Sequence, residues 1–429
     1  MRIFFMLIGL GMIMTTLSSS SLQGADSLPT PEQMRQKVEA ELEKGLALWY
    51  PRSIDPRGGY HSIFEQDWSL QPYETKGIVQ QSRMVWTASE VALRRPAKKE
   101  QFEKYAKHGY QFLRDHMWDK EYGGFYWEVK ADGKAFLTAN ADMKHAYGEA
   151  FAIYGLANMY KLSKDPEVLK LAQEAFLWLD KHGHDAKNRG YIEAFYRDGT
   201  PMLAPPKERP EQVKGKTREL LGCKSMNSHL HLLEAFTSLY EVWPDATLKS
   251  RLVELLEIMR DVVPTWPGAM RQFFRADWTP AATYVSFGHD IETTYLLEEA
   301  EKILGNPSIE KTAKVGRAMV DHALEFGWDQ TNGGFFYDGA TFGLPADTTK
   351  FWWVQAEGLN TLLLMHDHYG KENADYYRCF IKQWEFIAKS ILDARYGGWF
   401  PVTDADGSNP RGLDNRFSQV TRGLEKAHL

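Results

Sequence analysis

The chain has 429 residues, of which 43% are hydrophobic and 13% aromatic, with 14 tryptophans and a formal net charge of −6 at pH 7. Acidic and basic residues are interspersed, and the lack of a basic stripe argues against nucleic acid as a partner. With only Cys223 and Cys379, the sequence holds no disulfide framework and no cysteine pair at metal-binding spacing. The composition predicts a globular protein with a large apolar core.

The N-terminus predicts an export signal. Arg2 precedes an apolar run over residues 3–14, and small and polar residues follow up to Ala25. A basic start, a short apolar core and a small-residue exit are typical of a signal peptide, and this run is short for a membrane span. We therefore expect residues 1–25 to be a signal peptide and residues 26–429 to form one domain of a secreted or periplasmic protein. A retained anchor is the alternative.

Glycine-rich aromatic segments recur along the chain. The second glycine of each segment is Gly59, Gly124, Gly190, Gly334 or Gly398. Neighbouring positions are about 65 residues apart, or about twice that across the widest gap, a period typical of repeat architectures. Residues 271–274 fill the middle of that gap with a further aromatic segment. Short aromatic strands followed by Asp- and Gly-containing turns predict six β-hairpins.

Helical patterns occupy the intervals between the hairpins. One amphipathic segment, residues 34–48, precedes the first hairpin, and two lie in each of the five intervals. These ten are 81–93, 102–117, 146–162, 166–179, 227–243, 248–262, 290–304, 309–326, 351–369 and 374–392. A closed ring of six helix pairs needs a twelfth helix to partner the first. The residues after Gly398 are polar and poorly helical, so we expect that helix to be absent or severely shortened.

Three segments bring histidine, carboxylate and aromatic residues to predicted helix starts, which meet at one mouth of such a ring. In the first, Asn227 and His231 are four residues apart and share a helix face. An amide can hold a hydroxyl group, and an imidazole can exchange a proton near neutral pH. The structural alternative is a helix N-cap at Asn227 and a hydrogen-bonded core histidine.

In the second segment, His289 and Glu292 are three residues apart at a helix entry. A carboxylate beside an imidazole fixes its tautomer and raises its pKa, as a general base requires. An Asp290 cap with a first-turn glutamate is the structural alternative. A metal site is disfavoured because the order of the Glu-x-x-His motif is reversed here and further carboxylates are lacking.

In the third segment, Trp353 and Glu357 are four residues apart, so one helix face offers an indole and a carboxylate beside Trp352. Two further residues fit the same pattern. Arg83 is a cation on an otherwise apolar face and can polarise a carbonyl or hold an oxyanion. Tyr147 can donate a hydrogen bond. The structural alternative for Arg83 is a buried ion pair, and the one for Tyr147 is simple packing.

Together these segments resemble the N-acylglucosamine 2-epimerase superfamily, most closely its cellobiose 2-epimerase branch. The similarity in sequence is closest in three segments: Ser-Met-Asn-Ser-His-Leu-His-Leu-Leu-Glu (225–234), Phe-Gly-His-Asp-Ile-Glu (287–292) and Trp-Trp-Val-Gln-Ala-Glu (352–357). The resemblance runs from Trp49 to Gly412. It implies an all-α (α/α)6 barrel with short β-hairpins between helix pairs and a single catalytic domain. It also implies no metal or organic cofactor and a reducing mono- or disaccharide as partner.

The resemblance further implies epimerisation at C2 through a cis-enediolate. A base removes the C2 proton beside the C1 aldehyde of the opened sugar, and a second group returns a proton on the opposite face. The catalytic residues carried over by position are His289 as base, Glu292 as its support and His231 for ring opening or orientation. The substrate-binding residues carried over are Arg83, Tyr147, Asn227, Trp352, Trp353 and Glu357.

One segment departs from the family pattern. The family places its second catalytic histidine in a Trp-Lys-x-x-Tyr-His segment that opens the twelfth helix. Residues 424–429 read Leu-Glu-Lys-Ala-His-Leu, where His428 is the only imidazole of the region, and we do not expect it to act as that base. A truncated C-terminus and a natural loss of the group are both compatible with this departure.

The departure keeps other activities open. A single base can carry a proton between C2 and C1 on one face of an enediol, which is aldose–ketose isomerisation of mannose-type sugars. An inverting glycoside hydrolase on the same fold would need two carboxylates flanking the scissile bond. A sugar-binding protein without turnover would use the same tryptophans. The fold alone does not choose among these functions.

Overall fold

The structure is a computed structural model that describes residues 28–71, 75–135, 143–204, 221–281, 284–341 and 343–412. The predicted signal peptide, the predicted twelfth-helix region and His428 lie outside these residues. Eleven α-helices lie within them: α1 Pro31–Ser53, α2 Ile78–Arg94, α3 Lys99–Phe112, α4 Ala146–Ser163, α5 Pro166–Gly183, α6 Met226–Val242, α7 Ala246–Glu257, α8 Phe287–Ile303, α9 Ile309–Phe326, α10 Trp352–Tyr369 and α11 Asp375–Phe386.

These are the eleven helices that the sequence predicts. Three of them, α3, α7 and α11, continue into a π-helical turn at Leu113–Met117, Ile258–Val262 and Ile387–Ile391 respectively. With those turns included, every helix end lies within five residues of its predicted position. The apolar periodicity therefore predicted the helices well, because each helix of a pair packs an apolar face against its neighbours.

Burial separates two layers of helices. Inner helix α4 is buried without interruption from Ala146 to Met159. Outer helix α9 buries one face, with residues such as Gly316, Met319 and Ala323 at helical spacing. Inner helices α2, α4, α6, α8 and α10 pack in that order, each against its own outer partner α3, α5, α7, α9 or α11. This arrangement is that of an (α/α)6 barrel.

Short strands lie at the end of the barrel where the inner helices begin. They are β1 Thr75–Gly77, β2 Glu128–Lys130, β3 Lys144–His145, β4 Ala194–Phe195, β5 Cys223–Ser225, β6 Pro264–Thr265, β7 Ala269–Met270, β8 Phe273–Arg275, β9 Tyr284–Ser286, β10 Asp338–Ala340, β11 Pro345–Asp347, β12 Lys350–Phe351 and β13 Val402–Thr403. The strand before each inner helix pairs antiparallel with the strand after the corresponding outer helix, as in β1 with β2 and β12 with β13.

The predicted hairpins are present, with a pairing that the sequence did not reveal. Local bridges such as Val129 with Ala135 and Phe274 with Pro280 close tight turns. The longer ladders instead join residues about one helix pair apart, such as Lys76 with Val129. Each helix pair is thus closed by a small sheet at its base, which fixes where the inner helix starts.

Four buried lysines join the sheets to the hairpins. In each case the ammonium group forms an ion pair of 2.7–3.0 Å with a hairpin aspartate and donates a hydrogen bond to a hairpin carbonyl oxygen. The pairs are Lys76 with Asp55, Lys144 with Asp119, Lys224 with Asp185 and Lys350 with Asp329. In the fourth unit, the corresponding position before α8 is Val285.

Five residues, here called clamp residues, hold the inner helices against the hairpins. Each lies five positions after the lysine or valine just described, in the first turns of an inner helix, and accepts a hydrogen bond of 2.6–3.0 Å from a hairpin backbone N–H. The clamp residues and their donors are Gln81 with Tyr60, Glu149 with Phe125, His229 with Tyr191, Asp290 with Met270, and Gln355 with Phe335.

The first and last hairpins meet and close the ring. Gln66 donates a hydrogen bond of 2.7 Å to Asp393, and the indole of Trp68 donates one of 3.0 Å to the carbonyl oxygen of Tyr396. Within the residues described, no helix has the length and apolarity needed to cross a bilayer. Cys223 and Cys379 are both free thiols.

Candidate active site

A cavity opens along the barrel axis among the inner helices. Its walls come from all five inner helices and from α1, and they include Arg83, His231, Glu292, Trp353 and Glu357. Trp352 also lines the cavity. Six of the nine predicted site residues therefore face one shared space, as expected for helix starts that meet at one mouth.

The other three predicted residues are placed less uniformly. The imidazole of His289 lies 4.9 Å from the indole of Trp353 between ring centroids, and the ring of Tyr147 meets that of His231 edge-on at 5.2 Å. Both therefore stand directly behind the cavity wall. Asn227 lies one helical turn before His231, is partly exposed and is not among the residues that line the cavity. The position of Asn227 therefore gives no further support to its predicted contact with the substrate.

The position of the clamp residues explains this convergence. Seven of the nine predicted site residues lie two positions from a clamp residue: Arg83, Tyr147, Asn227, His231, Glu292, Trp353 and Glu357. Two residues in an α-helix correspond to a rotation of about 200°, so a side chain at that position points almost opposite to the clamp. Because the clamp faces the hairpin, these seven residues are turned away from the hairpin, and five of them line the cavity.

His231 has a carboxylate partner within its own helix. Its Nδ1 lies 2.7 Å from Oε2 of Glu234, and the two side chains are 2% and 8% exposed. Glu234 lines the cavity beside it. The sequence prediction placed a carboxylate partner, Glu292, beside His289; the contact between His231 and Glu234 has the same spacing and was not predicted.

His289 is buried in the neutral form. Burial, and to a lesser degree the nearby His231, lowers the pKa of the His289 imidazole to about 3. A neutral imidazole is the form that accepts a proton, but the pKa shifts in the direction opposite to the rise that the sequence predicted from Glu292, because burial outweighs it, and this makes the imidazole a weaker base. Its neighbour Glu292 lines the cavity and is 7% exposed.

Arg83 supplies the positive charge of the cavity. Its guanidinium carbon lies 4.1 Å from the centroid of the Phe151 ring, a cation–π contact that holds the side chain. Burial raises the pKa of Tyr147, and the neighbouring Arg83 acts in the opposite direction. A fixed cation in a low-dielectric cavity can stabilise an oxyanion that develops on a substrate.

Two tryptophans and a tethered carboxylate form the opposite wall. Trp352 meets Trp399 of the last hairpin edge-on at 6.4 Å. Tyr295 donates a hydrogen bond of 2.7 Å to Oε2 of Glu357, which fixes the orientation of that carboxylate. Indole faces beside a positioned carboxylate are suited to the apolar faces and hydroxyl groups of a sugar ring.

Sequence reasoning missed several residues of the wall. Glu234 and Tyr295 contact predicted site residues directly, while Trp49 of α1 and Gln80 of α2 line the same cavity. The i,i+3 spacing of His231 and Glu234 was available as a signal, whereas Tyr295 carried none because its partner is on another helix. No group of three or more His, Cys, Asp and Glu residues in the described ranges is arranged to hold a metal ion.

An (α/α)6 barrel whose axial cavity combines indoles, a fixed cation, histidines and carboxylates defines a class of sugar-processing enzymes. Comparison with known proteins identifies the family within that class. The family model described as N-acylglucosamine 2-epimerase (GlcNAc 2-epimerase) matches residues 58–414, and the chain belongs to this family. The resemblance noted from the sequence is thereby confirmed.

Individual relatives agree with the family. A cellobiose 2-epimerase of Bacteroides fragilis is 32% identical over 390 residues, covering 89% of this chain and 94% of the relative. The solved structure of cellobiose 2-epimerase from Bacillus thermoamylovorans superposes with a TM-score of 0.77 at 26% identity, covering 91% of this chain and 98% of that one. A D-mannose isomerase of Marinomonas mediterranea is 23% identical over 391 residues, or 86% of this chain and 89% of the relative.

Proposed function

We propose that this protein epimerises a reducing sugar of the cellobiose type at C2. The observation that carries the proposal is the cavity itself, in which the His231–Glu234 pair shares a space with Arg83, Glu292 and two tryptophans, while His289 lies behind the wall against Trp353. The 32% identity to a relative named cellobiose 2-epimerase supports the choice of substrate class.

The chemistry follows from the placement of these groups. In the opened sugar the C1 aldehyde acidifies the proton on C2, provided that the developing enediolate oxygen is stabilised. His289 accepts that proton, with Glu292 beside it to stabilise the imidazolium, and Arg83 neutralises the oxyanion. Trp352 and Trp353 hold the sugar rings by stacking, and Glu357 accepts hydrogen bonds from hydroxyl groups.

The return of the proton separates two activities. A proton delivered to C2 on the opposite face gives the C2 epimer, whereas a proton delivered to C1 gives a ketose. The 23% identical relative named D-mannose isomerase makes aldose–ketose isomerisation the second candidate. Both reactions use the same enediolate and the same first base, so only the product distinguishes them.

Proton NMR of the purified protein with cellobiose in deuterated water tests the proposal. We expect deuterium at C2 and a glucosyl-mannose product, both abolished in His289→Ala because the base is removed. Trp266→Ala is the matched control, since Trp266 is 82% exposed on the β6–β7 turn and does not line the cavity.

Other products would replace the proposal. A ketose without a C2 epimer would establish the isomerase, and release of monosaccharide would establish a hydrolase. Binding of cellobiose without any deuterium uptake would leave a sugar-binding protein. Equal exchange by the wild type and His289→Ala would remove His289 from the role of base.

The export signal is proposed from the sequence pattern of residues 1–25. N-terminal sequencing of the protein expressed in a Gram-negative host tests it. We expect the mature chain in the periplasmic fraction to begin near Asp26. An uncleaved N-terminus in the membrane fraction would favour the anchor, and cytoplasmic retention would refute export.

A further inference from the structure

We propose that Glu234 is a positioning residue that fixes His231 in the tautomer protonated on Nδ1, so that Nε2 moves the proton that opens the sugar ring. This inference rests on the proposed function, which requires an open-chain sugar before C2 becomes acidic. It assigns a role to Glu234, which sequence reasoning did not include among the site residues.

With Glu234 ionised, the hydrogen bond sets the tautomer. Nδ1 of His231 lies 2.7 Å from Oε2 of Glu234. An ionised carboxylate only accepts hydrogen bonds, so Nδ1 must carry the proton of the neutral imidazole. Nε2 is then the nitrogen with the acceptor lone pair, and it is the only ring nitrogen not committed to Glu234. The pair lies within one turn of α6, so the helix holds it in place whether or not a sugar is bound.

The neighbouring rings keep the imidazole in this orientation. Phe151 lies 4.7 Å from it between ring centroids, and Tyr147 meets it edge-on at 5.2 Å. Among titratable groups on other helices, Tyr147 of α4 interacts with Glu234 and His289 of α8 interacts with His231, while Arg83 of α2 and Glu292 of α8 act on the same Tyr147. The imidazole is thus packed on α4 and presents its edge to the cavity that it lines.

The proton balance of ring opening needs only this one nitrogen. Nε2 takes the proton from the anomeric hydroxyl O1 while the C1–O5 bond breaks and the C1=O1 double bond forms. The same proton then passes from the imidazolium to O5. Because O1 and O5 are both bonded to C1, one nitrogen can reach both. Glu234 stabilises the transient imidazolium, and no net proton is gained or lost.

A second histidine–glutamate pair serves as the control. Nε2 of His184 lies 3.0 Å from Oε1 of Glu254, between outer helices and away from the cavity lining. This pair involves the other ring nitrogen and has no access to a sugar in the cavity. Glu254→Leu therefore reports what the loss of a partly buried carboxylate, which also accepts the Gly190 N–H, does to stability alone.

The tautomer is measured without a substrate by nitrogen-15 NMR of histidine-labelled protein, with His231 assigned by comparison with His231→Asn. We expect the Nδ1–H tautomer in the wild type and in Glu234→Gln, because the glutamine oxygen can accept the same bond. Glu234→Leu should lose the preference, and Glu254→Leu should leave the His231 signals unchanged. An Nε2–H tautomer in the wild type, or an unchanged tautomer in Glu234→Leu, would overturn the proposal.

Ring opening is measured by exchange between the α- and β-anomers of cellobiose in magnetisation-transfer NMR. We expect the wild type and Glu254→Leu to accelerate this exchange, and Glu234→Leu and His231→Asn to lose at least tenfold of the acceleration. Glu234→Gln should fall between them, because it keeps the tautomer and removes the charge.

The two measurements separate this proposal from the broader one. A loss of deuterium exchange at C2 with intact anomer exchange would bear only on the role of His289 as the base. If Glu234→Leu accelerates anomer exchange as much as the wild type does, the proposed role of Glu234 is overturned, even if epimerisation is confirmed. A wild type that accelerates neither process would refute ring opening by His231, while the tautomer experiment would still report on the pair.

Discussion

Glu149 is a carboxylic acid in a position where two of the other inner helices use an amide. Gln81 and Gln355 each accept a hydrogen bond from a hairpin N–H and donate one back to the carbonyl oxygen of the same residue. Glu149 accepts the N–H of Phe125 at 2.6 Å in the same way. Burial raises the pKa of Glu149, against smaller lowering effects of this hydrogen bond and of Lys144. A protonated Glu149 is a chemical match for glutamine.

This raised pKa predicts a pH-dependent stability. The folded state holds a proton on Glu149 that the unfolded chain loses near pH 4.5, so stability falls as pH rises from there through the folded pKa. We expect Glu149→Gln to remove this fall and to gain on the order of 1–2 kcal/mol at pH 9 relative to the wild type. Denaturant unfolding between pH 5 and pH 9 measures the difference.

The reverse substitution provides the control. Gln355→Glu should acquire a fall in stability over the same range, because it places a carboxyl group in an equivalent buried clamp. If the wild type and Glu149→Gln show parallel profiles, Glu149 is ionised in the folded protein and the interpretation of its burial is wrong.

At the scale of single residues, each predicted helix start places at least one of its two chemical groups on the cavity wall, and the roles of these groups stay a prediction. His231, Glu292, Trp353 and Glu357 all line the cavity. The pairing of imidazole and carboxylate was not predictable, because His231–Glu234 and His289–Glu292 have the same spacing. Whether such a spacing produces a hydrogen bond depends on side-chain packing against neighbouring helices, which a single sequence does not contain.

At the scale of elements, the hairpins were predictable and the lysines that hold them were not. Gly124 and Gly334 have φ angles of 71° and 86°, a region that favours glycine, so the hairpin turns are visible in the sequence. A lysine such as Lys350 carries no local sign of burial. Its partner Asp329 lies 21 positions earlier, on the preceding hairpin, and only the closed sheet brings the two together at 2.7 Å.

The buried ion pairs predict a large and local loss of stability. Lys350 is fully buried, so Lys350→Met would leave Asp329 as an uncompensated charge in the interior. We expect a loss of roughly 3 kcal/mol in the free energy of unfolding, measured by denaturant titration. Lys134→Met is the control: its pair with Asp132 has a similar length of 2.9 Å but is exposed, and we expect no measurable change. Equal effects at the two sites would contradict this account.

At the scale of the whole molecule, the ring is closed by the same bond that joins neighbouring units inside it. The indole N–H of Trp68 reaches the carbonyl oxygen of Tyr396, in the last hairpin, at 3.0 Å. Trp278 makes the equivalent bond to Asn188 at 2.9 Å, and both tryptophans have a φ angle of 67°. The closure between the two ends of the described chain is therefore a repeat contact like the others.

This equivalence predicts different consequences for two similar substitutions. Trp68→Phe and Trp278→Phe each remove one hydrogen bond and should each cost about 1 kcal/mol. Trp68→Phe should in addition speed amide hydrogen exchange in residues 54–71 and 393–403 together, because it opens the ring. Trp278→Phe should affect only residues near 185–191 and 273–280. Local exchange changes in both variants would show that the ring ends are not coupled.

The clamp residues have a consequence for how this scaffold can vary. They fix the rotation of each inner helix, so that the side chain two positions after the clamp points toward the barrel axis. In four different helices this side chain is Arg83, His231, Glu292 or Glu357. Scaffold and chemistry therefore reside on opposite sides of the same helical turn. Substitutions at these axial places are therefore expected to change the chemistry of the cavity while leaving the hairpin contacts that hold the helices in place.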